Sequence, residues 1–374
     1  MKLCSFENLL LASRKARLGK RMNTDVARFE INLEHELVNL AKDLQDQSYR
    51  PGEYREFIIS EPKKRMISAA PYRDRVLHHA LCNVIEPIFE RTFISDSYAN
   101  RKGKGTHKAI LRYLQFAQHN TYALKCDIQK FFPSIDHQLL KQNIRKKVAC
   151  KKTIWLIDTV IDHSNRQEAV LNYYSGDSLF TPFERRKGLP IGNLTSQFFA
   201  NVYLNPLDHF IKEVLQCKHY IRYVDDFVLF SEEKQQLQRW KEEIESWLES
   251  LRLTLHPKKT RVLPVNVGLS FLGHRVFPEF LLLNKDNVLR FKRRLKKMSA
   301  GLVSGNVTME HHRSSIASWE GHAKFSNTYR LRKKIFRDGS ESEPCVAGRF
   351  VEQQNEQPPD NESQQEHTRK PKQQ

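Results

Sequence analysis

The sequence predicts an α+β fold. Runs rich in aromatic and β-branched residues mix with stretches of helical periodicity, and no regular βαβ spacing or internal repeat is present. The strand-like run over residues 219–230 is interrupted by two adjacent carboxylates, Asp225 and Asp226. A second strand-like run, Tyr122–Cys126, also ends on a carboxylate, Asp127.

The elements follow in chain order. Phe29, Leu33, Leu37, Leu40 and Leu44 step by fours and a three, which is one face of a helix. Basic and apolar residues mix through Arg55–Ile59 and Lys63–Ile67, a pattern read as a hairpin. A helix follows Pro71, with Leu77, Leu81, Val84 and Ile88 on its inner face. Residues 219–230 read as two strands with both aspartates at the turn. Leu237, Trp240, Ile244, Trp247, Leu248 and Leu251 mark an amphipathic helix after them. In residues 290–298, six of nine are basic, on a helix that either meets a phosphate backbone or is a solvated face. From about Gly339 the chain is Gln, Glu, Ser, Asn and Pro, which cannot bury enough surface to offset ordering entropy, so a disordered tail is expected.

Bulk properties narrow the partner. The 374 residues carry a formal charge of +19, which favours a polyanion, nucleic acid ahead of an anionic membrane surface. No apolar run reaches the roughly 18 residues of a membrane span, and the basic N-terminus lacks a secretory pattern. The six cysteines form no Cys-x-x-Cys pair and read as reduced thiols of a cytoplasmic protein.

Two like charges at the heart of an apolar run are costly to desolvate and repel each other, and a divalent cation removes both objections. Asp127 supplies the third ligand. Three carboxylates on two neighbouring strands can hold two metal ions about 4 Å apart, the arrangement that serves in-line phosphoryl transfer, and hard oxygen ligands favour Mg²⁺, with Mn²⁺ a substitute. Taken singly, Asp127 also reads as a helix N-cap and Asp225–Asp226 as an ordinary turn.

Tyr223-Val224-Asp225-Asp226 resembles the catalytic signature of reverse transcriptases, and Asp127 with Phe131-Phe132 resembles their first catalytic motif. Further motifs match in order. Lys64-Arg65, Arg73-Asp74-Arg75 and residues 97–101 (Ser-Tyr-Ala-Asn-Arg) resemble the fingers motifs of group II intron-like enzymes. Residues 188–197 (Gly-Leu-Pro-Ile-Gly-Asn-Leu-Thr-Ser-Gln) resemble the loop and helix under the templating pair. Residues 256–260 resemble the lysine motif, and Phe271-Leu272-Gly273 the primer grip. Most members carry Gln-Gly then Ser-Pro in the loop-helix motif. This chain has Ile191-Gly192 and Ser196-Gln197, which resembles the enzymes of diversity-generating retroelements.

The resemblance implies a right-hand polymerase fold with fingers, a palm whose antiparallel sheet carries the aspartates, and a helical thumb. Residues 1–120 would be the N-terminal helix and fingers, 121–280 the palm with a finger insertion around 140–185, 281–338 the basic thumb, and 339–374 the tail. It implies an RNA-directed DNA polymerase, error-prone at template adenines, acting in mutagenic retrohoming. Asp127, Asp225, Asp226 and the Ile128 carbonyl would hold metal, and Lys259 would protonate the leaving pyrophosphate, with Lys258 in reserve. Arg65 would clamp the triphosphate, with Arg75 secondary; Phe132 would gate the sugar, and Ile191 and Gly192 would line the nucleotide pocket. An isoleucine there can pack but cannot hydrogen-bond, so it holds the incoming nucleotide less firmly than glutamine. The implied partners are template RNA, a DNA or RNA primer, dNTPs and a small basic accessory variability protein oligomer, in a bacterial or phage-encoded setting. The competing readings are an accurate group II intron-like, retron or phage-defence reverse transcriptase, and a catalytically silent RNA-binding scaffold.

Overall fold

In the computed structural model, residues 2–60, 63–165 and 171–336 are described. The expected tail and Cys345 lie outside them. The chain divides into two compact units between Leu269 and Ser270.

The first unit begins with helices Phe6–Ala16, Thr24–Ile31 and Leu33–Gln45. The single helix expected through Phe29 and Leu44 is therefore two. Asn32, a poor helix former, breaks it at φ −108° and ψ 30°. Strands β1 (Arg55–Ile59) and β2 (Arg65–Ala69) pair antiparallel, Ile59 opposite Arg65, as the hairpin pattern predicts. Helix Tyr72–Glu90 buries Leu77, Leu81 and Ile85, a step of four, while Ile88 turns outward and is 38% exposed.

The central sheet has strand order β4-β5-β3-β6 and all its pairings are antiparallel. Its members are β3 (Tyr122–Asp127), β4 (Tyr220–Tyr223), β5 (Asp226–Ser231) and β6 (Arg261–Pro264). Helix Lys234–Ser250 packs across β3, β5 and β6 through buried Leu237, Ile244 and Leu248. Because strand residues alternate faces, Lys125 and Asp127 share one face and Leu124 and Cys126 the other. Asp226, opposite Asp127, falls on the Lys125–Asp127 face.

The second unit holds a three-stranded sheet of β7 (Leu269–Phe271), β8 (His274–Val276) and β9 (Leu281–Leu283) with helices Lys285–Val303, Met309–Lys324 and Tyr329–Phe336. Its core centres on Phe291 stacked against Trp319, ring centroids 4.0 Å apart. All six basic residues of 290–298 are exposed, while Phe291 and Met298 turn inward. No helix among the described residues is long and apolar enough to cross a membrane.

Candidate active site

The β4–β5 hairpin pairs Tyr223 with Asp226, leaving Val224 and Asp225 as a two-residue turn. The aspartates therefore split: Asp225 sits at the tip and Asp226 is the first residue of β5. Val224 takes φ +57°, a left-handed conformation that a β-branched residue resists at a cost of roughly 1–3 kcal/mol. That turn needs support, and Arg222 gives it by donating from Nη1 to the Val224 carbonyl at 3.1 Å.

Asp127 ends β3 directly opposite Asp226 and is not a helix cap. Its carbonyl accepts from the His256 amide at 2.7 Å, and Gln129 donates its amide to the Thr254 carbonyl, so the residue 254–260 segment is tied to the end of β3 by backbone bonds. This tie brings Lys259 Nζ to 2.7 Å from Asp127 Oδ1. Asp226 faces the other way along the strand, with Lys125 Nζ 3.4 Å from its Oδ2. Its Oδ1 is buried with no hydrogen-bond partner among the described residues.

Burial raises the Asp225 carboxyl above its ordinary range, and Asp127 adds to the rise while Lys259 and Arg65 pull it back. Burial pushes Asp226 up to about 6, opposed by Lys125 and reinforced by Asp225 and Asp127. Desolvation is thus the main force opposing ionisation of both carboxyls.

The register sets Asp127 opposite Asp226, and Asp225 lies in the adjoining turn. Among the described residues no three His, Cys, Asp or Glu side chains converge on one point. Each of the two paired carboxylates has its own lysine, Lys259 on Asp127 and Lys125 on Asp226, which offsets their mutual repulsion. The donor chemistry still fits Mg²⁺, which is held by one or two carboxylates plus substrate phosphates rather than by an all-protein cage. The orphaned Asp226 oxygen and the raised Asp225 carboxyl are what a cation would relieve.

The nucleotide-side residues gather on the loop at 188–193. Leu189 donates its amide to the Phe132 carbonyl, Gly188 to Ile135, and Ser68 of β2 donates to the Ile191 carbonyl, each within 3.0 Å. Ala70 donates to Asn193 Oδ1, and Arg75 Nε to the Ala70 carbonyl at 2.7 Å. The loop therefore joins the hairpin of β1 and β2 to the Phe132 segment. Gly192, at φ +120°, permits the approach, since an added Cβ would lie 2.9 Å from Ile67 Cγ2. Phe132 and Ile191 are half-buried and Arg65 is exposed. Ile128 is buried and bridges Leu255. Arg73 is drawn into an ion pair with Asp43. Lys258 donates its amide to His256 Nδ1. In the second unit, Leu272 and Gly273 form the turn between β7 and β8 at φ +48° and +88°, and Phe271 is fully buried.

Two groups escaped the sequence. Lys125 was unremarkable in its strand, although it lies two residues before Asp127 on the same face. Arg222 is fully buried and holds Asp208 in two bonds of 2.7 and 2.6 Å. The signal for it existed: Asn201 and Asp208, seven apart, share one face of a helix and are both buried there.

A β-hairpin presenting aspartates beside a strand-end aspartate, with a lysine on that carboxylate, defines a palm of the polymerase class. Residues 59–276 match the family described as reverse transcriptase (RNA-dependent DNA polymerase), and the chain belongs to that family. Its fold is the right-hand polymerase fold, with the β4-β5-β3-β6 sheet as palm and a helical thumb. The chain is 27% identical over 281 residues to Protein YkfC of Escherichia coli (strain K12), covering 64% of this chain and 71% of that protein. It is 23% identical over 184 residues to Group II intron-encoded protein LtrA of Lactococcus lactis subsp. cremoris, covering 48% of this chain and 29% of that one. The chain thus spans less than a third of that relative's length. Among solved structures, apo telomerase from Candida tropicalis matches with a TM-score of 0.47 and 13% identity, over 76% of this chain and 60% of that one.

Proposed function

We propose that this chain is an RNA-directed DNA polymerase that extends a primer on template RNA, with Asp127 and Asp225 as the principal metal-holding carboxylates and Asp226 in support. The observation that carries this reading is the register pairing of Asp127 with Asp226 beside the Val224–Asp225 turn, with Lys259 on Asp127. Two Mg²⁺ ions held there would supply an activated primer hydroxyl and charge neutralisation at the departing pyrophosphate. The chain's own residues do the rest. Lys259, in contact with Asp127, serves as general acid. Arg65, close enough to bias Asp225 electrostatically, takes the triphosphate, with Arg75 anchoring the end of β2 behind it. Phe132 presents its ring to the sugar, the Ile128 carbonyl completes a metal shell, and Phe271, Leu272 and Gly273 grip the primer.

The finer reading is error-prone copying at template adenines, in mutagenic retrohoming assisted by an accessory variability protein. It is supported by Ile191, whose apolar side chain offers the incoming nucleotide no hydrogen bond. A second reading, an accurate intron-type reverse transcriptase, is favoured by the similarity to LtrA.

The test is primer extension by the purified chain with Mg²⁺ and all four dNTPs on an RNA template, followed by sequencing of the product. Extension that disappears in Asp225→Ala while RNA binding persists supports the polymerase reading; extension retained in that variant overturns the metal assignment. Errors concentrated opposite adenine support the mutagenic reading, and an even, low error rate supports the intron-type one.

A further inference from the structure

We infer that Arg222 is a positioning residue of the polymerase site: its buried guanidinium clamps the carbonyl of Val224 and so fixes where the Asp225 carboxylate is presented. This rests on the polymerase reading above and adds to it a residue outside the set expected to touch metal or nucleotide.

The geometry uses every part of the guanidinium fork. Nε and Nη2 grip the two Asp208 oxygens at 2.7 and 2.6 Å. Nη1 is shared between Asn201 Oδ1 and the Val224 carbonyl, each at 3.1 Å. Asp208 also accepts from the Tyr220 hydroxyl at 2.7 Å, and both charged side chains of the pair are 0% exposed. Burying an ion pair costs several kcal/mol in desolvation, and a well-packed apolar pair is usually as stable or more so. Stability alone therefore does not account for it. What the fork supplies is direction: with two donors spent on a fixed carboxylate, the third nitrogen is aimed between Asn201 Oδ1 and the carbonyl of the strained turn residue. Lysine, a single point charge, cannot hold both.

The same residue ties the turn to a second motif. Main-chain Arg222 donates to the Asp96 carbonyl and accepts from the Tyr98 amide, both at 3.0 Å. Asn201, which receives Nη1, donates to the Ala99 carbonyl at 2.8 Å. The segment at residues 96–99 and the metal-presenting turn thus share one scaffold.

Two variants test the inference. Arg222→Lys keeps the charge for Asp208 and loses the fork. Arg222→Met combined with Asp208→Asn removes the buried charges together and keeps an acceptor for Tyr220, so it is built to fold. Mn²⁺ affinity is measured by electron paramagnetic resonance of the free ion, alongside circular dichroism melts. Both variants are expected to melt cooperatively yet bind Mn²⁺ about 10-fold or more weakly, the scale seen when groups that orient metal ligands are removed. In extension assays kcat falls while KM for the primer-template holds. A folded variant that binds Mn²⁺ within twofold of wild type overturns the inference, as does a wild-type chain that binds none. Weakened Mn²⁺ binding in the variants of a chain that never extends primers upholds this inference and sinks the polymerase reading instead.

Discussion

Lys259 and Asp127 are in direct contact, Nζ to Oδ1, at 2.7 Å. They lie 132 residues apart and meet because backbone bonds lash the residue 254–260 segment to the end of β3. The expected proton donor is thus preplaced on the expected metal carboxylate. Lys259→Met should lower kcat about 100-fold in single-nucleotide extension at saturating dNTP, the usual weight of one general acid. Affinity for the primer-template should change little. An unaltered kcat would remove Lys259 from the chemistry.

Ile191 accepts from the Ser68 amide through its carbonyl, and its side chain is the one proposed to face the incoming nucleotide. Because the docking bond is made by the main chain, Ile191→Gln should keep the melting temperature within a few degrees while lowering misincorporation opposite adenine, by about 10-fold if the new hydrogen bond contributes about 1.4 kcal/mol. The readout is sequenced cDNA. An unchanged error spectrum would detach fidelity from this position.

Gly192→Ala meets two penalties, a positive φ and a Cβ that would sit 2.9 Å from Ile67 Cγ2. The substitution should destabilise the loop by about 1–3 kcal/mol and raise the apparent KM for dNTP. Thermal melts and extension kinetics report both. A variant with wild-type KM would show that the loop does not shape the nucleotide pocket.

His78 is buried, and burial lowers its pKa from 6.5 to about 3, with His79 and Arg75 adding to the shift. A base with a depressed folded-state pKa gives stability that is full above 6.5 and lost as pH falls toward 3, because the unfolded chain takes up the proton first. His78→Gln should therefore flatten the fall in unfolding free energy between those limits. Urea melts at several pH values measure it, and an equally steep fall in the variant would exclude His78 as a cause.

Much of this site was legible because catalysis violates local rules. Asp127, Asp225 and Asp226 stand out as carboxylates in apolar strands, and their frame fixes them at strand ends. Pairing partners were less visible. Both aspartates read as residues of one turn, yet Asp226 is the first residue of β5 and has Lys125 as its neighbour, which only the register shows. Arg222 reads as an ordinary strand residue until its helix partner 14 positions away is brought to it. Periodicity placed the helices but not their breaks: one asparagine divided what five apolar positions had joined.

The hydrogen bonds that hold the loop at 188–193 come from main-chain atoms and the Asn193 side chain, and Gly192 permits its close approach; the Ile191 side chain, being apolar, makes none of them. Those hydrogen bonds are therefore independent of what side chain residue 191 carries. A change at position 191 thus leaves the loop's hydrogen-bonded anchors in place, so the chemistry offered by that one side chain can vary while the main-chain frame around it stays the same.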